Sequence, residues 1–156
     1  MPGRSGAVGA RRPLLRAVAP PADARLGVWT LESTADLRML RAELRAVLHR
    51  AYLAHLAGHV GAPRAPRTSP AVLVASELAT NALRHGIPPV VVVLSRCGGA
   101  ELLDVVDGSV DTVPTFAARR PIGEGGIGLH LVGRLADDVG WYAQGGRKHV
   151  WALLRG

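Results

Sequence analysis

The sequence predicts an α/β domain, and three stretches carry that expectation. Ser69 to Gly86 (SPAVLVASELATNALRHG) places Ala71, Val74, Ala75, Leu78 and Ala82 at helical spacing. Pro89 to Leu94 (PVVVVL) is a continuous β-branched run, the mark of a strand covered on both faces or at the core of a sheet. Glu101 to Val106 follows a short turn at residues 96–100 and returns as a second strand. With 156 residues, 48% of them hydrophobic, the chain suits a single domain with a sizeable core, and no internal repeat divides it.

The remaining elements follow in chain order. Residues 1–24 are rich in Pro, Gly, Ala and Arg without sustained periodicity, so they are expected to be a disordered tail on a domain spanning 25–156. Leu26 to Leu31 makes a first strand. Ser33 with Asp36 gives the capping pattern of a long helix, whose stripe is Leu37, Leu40, Leu44, Val47, Leu48 and Ala51 and whose end falls near Gly58. A Gly/Pro/Arg loop covers 61–67. Ser69 and Pro70 then start the central helix, and Gly86, Pro88 and Pro89 stop it. From Val110 to Gly126 periodicity fails, and a loop of that length in a compact domain is more often functional than idle. Gly126 to Leu129 opens another helix with Gly128, Leu131, Val132 and Leu135 on one stripe. Asp138 to Ala143, Gly145-Gly146 and Lys148 to Leu154 make a closing hairpin.

Composition removes several function classes. The net charge of +7 suggests nucleic acid, but Arg4, Arg11, Arg12, Arg16 and Arg25 against Asp23 leave +4 in the first 25 residues alone. Lys148 is the single lysine, so arginine use reads as coding bias, and no aromatics interleave with a basic run as single-strand binders require. Cys97 is the single cysteine, which rules out a disulfide framework and a thiolate metal site within the chain and favours a reducing compartment. No apolar run approaches the roughly 20 residues that span a bilayer. The Arg-rich start lacks the apolar core of a secretory signal, so a cytoplasmic location is expected.

Chemistry concentrates in three places. Glu77 and Asn81, four apart on the central helix, point the same way one turn above the other. A carboxylate and an amide oxygen so placed can serve Mg²⁺ and a neighbouring water or hydroxyl, although a polar strip on an amphipathic helix has the same spacing. Asp107, at a strand end, can accept from the exocyclic amine of adenine, or it can be an ordinary turn aspartate in Asp-Gly-Ser. Gly126 and Gly128 let backbone N–H groups approach phosphates at a helix N-terminus, or they simply allow a flexible loop. Together the three make a nucleotide site.

The string Glu77-Leu-Ala-Thr-Asn81-Ala-Leu-Arg-His85-Gly86 resembles the N box of the GHKL superfamily, which includes gyrase, histidine kinases and MutL-type ATPases. The likeness is greatest to the anti-sigma-factor serine kinases, especially small actinobacterial ATP-binding regulators, and it spans about residues 26–155. Gly126-Ile127-Gly128-Leu129 fits that family's second glycine box and Val150-Trp151 its closing strand. The resemblance implies the Bergerat fold, a two-layer α/β sandwich in which helices cover one face of a mixed sheet. It implies ATP and Mg²⁺ as ligands, with Asn81 on the metal, Glu77 as catalytic base and Asp107 as adenine reader. Ser109 belongs to the first glycine box, and Gly126, Ile127, Gly128 and Leu129 to the phosphate lid. His85 borders the phosphates or packs before the helix-stop glycine. A sigma factor, a small antagonist protein and a homodimer are the implied partners.

Two residues depart from the pattern. Asp111 replaces a glycine of the first box and puts a carboxylate near the nucleotide, and His149 stands where relatives often carry threonine beside the adenine. The leading expectation is a serine/threonine protein kinase that phosphorylates the antagonist. The alternative is a catalytically quiet ATP- or ADP-sensing module that sequesters a partner. Nucleic-acid binding by the basic tail ranks third.

Overall fold

The computed structural model describes residues 12–58, 68–116 and 128–155. Its elements run β1 (Arg12–Pro13), β2 (Ala24–Leu31), α1 (Leu37–Gly58), α2 (Thr68–His85), β3 (Val90–Cys97), β4 (Ala100–Asp107), β5 (Thr115–Phe116), α3 (Gly128–Leu135), β6 (Asp138–Gln144) and β7 (Arg147–Leu154). Five strands form one sheet in the order β2-β3-β4-β7-β6, and β1 pairs separately with β5. The chain is therefore a mixed α/β domain whose described helices are three.

Local chemistry explains most of these elements. Ser33 Oγ accepts from Ala35 N at 3.3 Å, while Asp36 Oδ2 accepts from Glu32 N at 2.9 Å and Ser33 N at 3.0 Å. This capping box starts a 3₁₀ turn, Thr34–Asp36, that runs into α1. The N–H groups of Glu32 and Ser33 hold the Asp36 carboxyl below its usual range. Cys97 faces Ala100 across Gly98 and Gly99, whose φ values are 53° and 82°. Gln144 faces Arg147 across Gly145 and Gly146, at 59° and 72°. Two successive positive-φ residues define the hairpin turn that matches strand twist, which is why both turns read Gly-Gly.

The helices lie on one face of the sheet. Leu40 and Leu44 of α1, Ala71, Val74 and Ala75 of α2, and Val132 of α3 are fully buried against Val90, Val92, Leu94, Leu103 and Leu154. Each such valine or leucine contributes about 1.5–3 kcal/mol by leaving water. A hydrogen bond of 2.8 Å from Trp29 Nε1 to Glu43 Oε2 ties β2 to α1. The opposite face carries a smaller cluster of Ala100, Leu102, Trp151 and Leu153.

Two expectations change. The five-stranded sheet is antiparallel throughout rather than mixed. Two-residue hairpins admit no other sense for β3-β4 and β6-β7. Parallel pairing among the described residues is confined to one bridge, Arg16 with Trp141, at the β6 edge. The disordered tail is the second correction, and it applies to residues 12–24. Leu14 is buried in the main core, and Ala17 N donates to Trp141 O at 2.9 Å. Trp151 Nε1 donates to Ala17 O at 2.7 Å, and Ala19 packs on the smaller cluster of the opposite face. Tertiary partners, an edge strand and two indole N–H groups, give this segment the bonds that its composition does not announce. Residues 1–11 lie outside the described residues.

Candidate functional site

The site is built from the C-terminal half of α2 and the ends of β4 and β7. Glu77 and Asn81 lie at the border of the buried stripe of α2, both half-buried, and no side-chain hydrogen bond engages either among the described residues. His85, the last residue of the helix, is exposed, which removes its packing role. α2 begins at Thr68, so Ser69 and Pro70 sit in its first turn rather than at its threshold.

Gly86 connects the helix to the strand chemistry. Its N–H donates to Ala82 O at 2.7 Å and closes the helix. A Cβ on it would stand 2.4 Å from that oxygen, 2.6 Å from Asp107 Cγ and 2.8 Å from Asp107 Oδ1. Its φ is outside the left-handed region, so glycine is needed here for space and not for a left-handed cap. One residue on, Ile87 O accepts from Gly108 N at 2.9 Å. The end of the expected N box is thus pressed directly onto Asp107.

Asp107 ends β4 at 1% exposure. A carboxylate buried so deeply costs several kcal/mol unless it is paired and hydrogen-bonded. Its Oδ1 accepts from both Ser109 N and Ser109 Oγ, each at 2.6 Å. Lys148, directly opposite on β7 and 5% exposed, places Nζ 3.3 Å from Asp107 Oδ2 and donates to Ser109 Oγ at 2.7 Å. The approach to Oδ2 is an ion pair by distance without hydrogen-bond geometry. Oδ2 is consequently a buried acceptor with no hydrogen-bond partner among the described residues.

No protein-family model matches the chain, and no curated protein matches it. The geometry must therefore carry the functional reading.

That geometry reassigns one position. His149 does not face the site. It is one residue from Lys148 on β7, so its side chain takes the opposite face of the sheet. There its ring stacks on Tyr142, centroids 4.5 Å apart and 12° from parallel, and its Nδ1 lies 2.9 Å from Asp104 Oδ2. Burial and the nearby Asp104 charge raise the Tyr142 phenol above its ordinary value. The residue that β7 turns toward Asp107 is Lys148. Strand alternation from Asp107 and the isolation of the chain's one lysine were the signals that could have found it. Asp111 is exposed in the turn after Ser109.

Gly128 and Leu129 are the first residues of α3, which packs against α2, whereas Gly126 and Ile127 lie outside the described residues. No group of three or more His, Cys, Asp or Glu that could hold a metal ion occurs among the described residues. No helix among them is long and apolar enough to cross a membrane.

Proposed function

We propose that this chain is a GHKL-type ATP-binding protein with the two-layer Bergerat sandwich, acting as an anti-sigma-factor-type serine/threonine kinase. The observation that supports this reading above all is the contact of Gly86 with Asp107. It joins the helix bearing Glu77 and Asn81 to a fully buried carboxylate, one of whose oxygens has no hydrogen-bond partner among the described residues. Asp107 Oδ2 suits the amine of adenine, because a buried oxygen lacking a donor gains most from one. Asn81 offers one neutral oxygen to Mg²⁺, which characteristically takes only one or two protein oxygens and completes its shell with phosphate and water.

In this reading bound MgATP supplies the transferable γ-phosphoryl group, and the protein positions groups and offsets charge. Glu77 accepts the proton of a serine hydroxyl on a small antagonist protein, whose modification frees a sigma factor. Asn81 holds the metal, and Asp107 fixes the base. The amide groups at the start of α3, beginning with Gly128 and Leu129, favour phosphate through N–H groups that have no partner within the helix. Gly126, Ile127 and His85 complete the phosphate side.

Calorimetry of ATP with Mg²⁺ on the wild type and Asn81→Ala tests the site. Binding by the wild type and its loss in Asn81→Ala are expected. Glu77→Ala should keep ATP affinity and lower phosphate transfer to an acceptor protein by about 10²–10⁴-fold. ATP binding with no transfer in the wild type would leave the sequestering module as the function. No binding by the wild type would end the nucleotide reading altogether.

A further inference from the structure

We infer that Lys148 is a base-reading residue of this site, donating a hydrogen bond to a ring nitrogen beside the amine that Asp107 accepts. The inference rests on the nucleotide reading above and adds to it a specificity-determining residue.

The reasoning starts from scarcity and burial. Lys148 is the single lysine of a chain whose other strongly basic side chains are all arginine. Lysine is almost never fully buried without a partner, yet this one is 5% exposed. Its compact ammonium lies 3.3 Å from Asp107 Oδ2 and 2.7 Å from Ser109 Oγ, as a point charge with rotatable donors rather than a planar fork.

Hydrogen-bond accounting then leaves capacity to spare. An ammonium has three donors and no acceptor. Among the described residues one of them goes to Ser109 Oγ at 2.7 Å. Ser109 Oγ in turn donates to Asp107 Oδ1, and Ser109 N donates to the same oxygen. Oδ1 is therefore saturated by Ser109, and the serine hydroxyl is fixed as acceptor from lysine and donor to aspartate. What remains is Asp107 Oδ2, an acceptor without a donor, 3.3 Å from an ammonium with donors to spare.

A free acceptor beside a free donor is the complement of an amidine edge, where an N–H lies next to a ring nitrogen lone pair. Adenine presents that edge as its exocyclic amine and N1. The amine meets Oδ2 and N1 meets the ammonium. Nζ approaches Oδ2 to 3.3 Å as an ion pair without hydrogen-bond geometry and bonds Ser109 Oγ at 2.7 Å, which leaves both Oδ2 and the remaining ammonium donors open to a ligand. Both groups are covered in this conformation, so a base that reads them has to displace what covers them.

The test changes the ligand rather than the fold. Full-length wild type is titrated by calorimetry with ADP, with 1-deaza-ADP, in which N1 is C–H, and with 7-deaza-ADP as a control remote from the edge. Loss of a charge-assisted bond predicts that 1-deaza-ADP binds roughly 10- to 100-fold more weakly than ADP while 7-deaza-ADP is unchanged. Lys148→Met should lower ADP affinity by a similar factor and make it indifferent to the N1 substitution. Equal binding of ADP and 1-deaza-ADP by the wild type overturns the role of Lys148 and leaves the nucleotide site standing. Binding of none of the three overturns both. The wild-type comparison decides the matter even if Lys148→Met does not fold.

Discussion

Gly86→Ala is the substitution whose effect follows most directly from the coordinates. The added methyl would lie 2.4 Å from Ala82 O, 2.6 Å from Asp107 Cγ and 2.8 Å from Asp107 Oδ1. None of these atoms can yield cheaply. The carbonyl belongs to the helix backbone, and the carboxylate is pinned by two 2.6 Å bonds from Ser109 and by Lys148. Forcing a methyl group into such packing costs about 1–3 kcal/mol. A domain of this size loses about 2–4 °C of melting temperature per kcal/mol. Thermal and urea unfolding should therefore show a clear loss of stability, and nucleotide affinity should fall with it because Asp107 is displaced. Gly58→Ala is the matched control, since a Cβ there meets nothing within 4 Å. If Gly86→Ala unfolds at the same midpoint as Gly58→Ala, the close packing of the helix end on Asp107 is not a real constraint, and the convergence on which the site rests is refuted.

Other outcomes can be checked alongside. Leu14→Ala should cost about 2–5 kcal/mol in urea unfolding, as for other buried leucines, and a merely decorative tail would leave the midpoint unmoved. Truncation through residue 19 should shift tryptophan emission to the red, because Trp141 and Trp151 lose their bonds to Leu14 O and Ala17 O. In a Tyr52→Phe background Tyr142 should ionise above pH 10.0, and Asp104→Asn should bring its midpoint down by removing the smaller, electrostatic part of the shift. The sign is that of a group raised on folding: its contribution is complete below the unfolded pKa and fades as pH rises through the folded one. A Tyr142 titration insensitive to Asp104→Asn would show that burial alone sets it.

Much of the fold was legible in the amino acids because it is encoded over short distances. Leu37, Leu40, Leu44 and Leu48 mark α1, the Ser33-Asp36 box marks its start, and Gly98-Gly99 and Gly145-Gly146 mark the two hairpins. Glu77, Asn81 and Asp107 could be singled out from spacing and position on their elements. Residues 12–24 could not be placed, since their partners are Pro114, Trp141, Trp151 and Arg96, all distant in the chain. Periodicity cannot report a segment that is held by single long-range bonds.

The site divides along the same line. By itself the sequence determined which residues share a helix face, end a strand or sit in a turn, because local patterning sets helix phase, strand ends and turns. Only the tertiary structure decided which of them meet. Register across β4 and β7 put Lys148 rather than His149 opposite Asp107, since a shift of one residue on a strand moves a side chain through the sheet. The packing of α2 on β4 made Gly86 a spacing requirement at a carboxylate instead of a helix stop. Contacts of that kind depend on how elements stack, and no pattern confined to one element contains them.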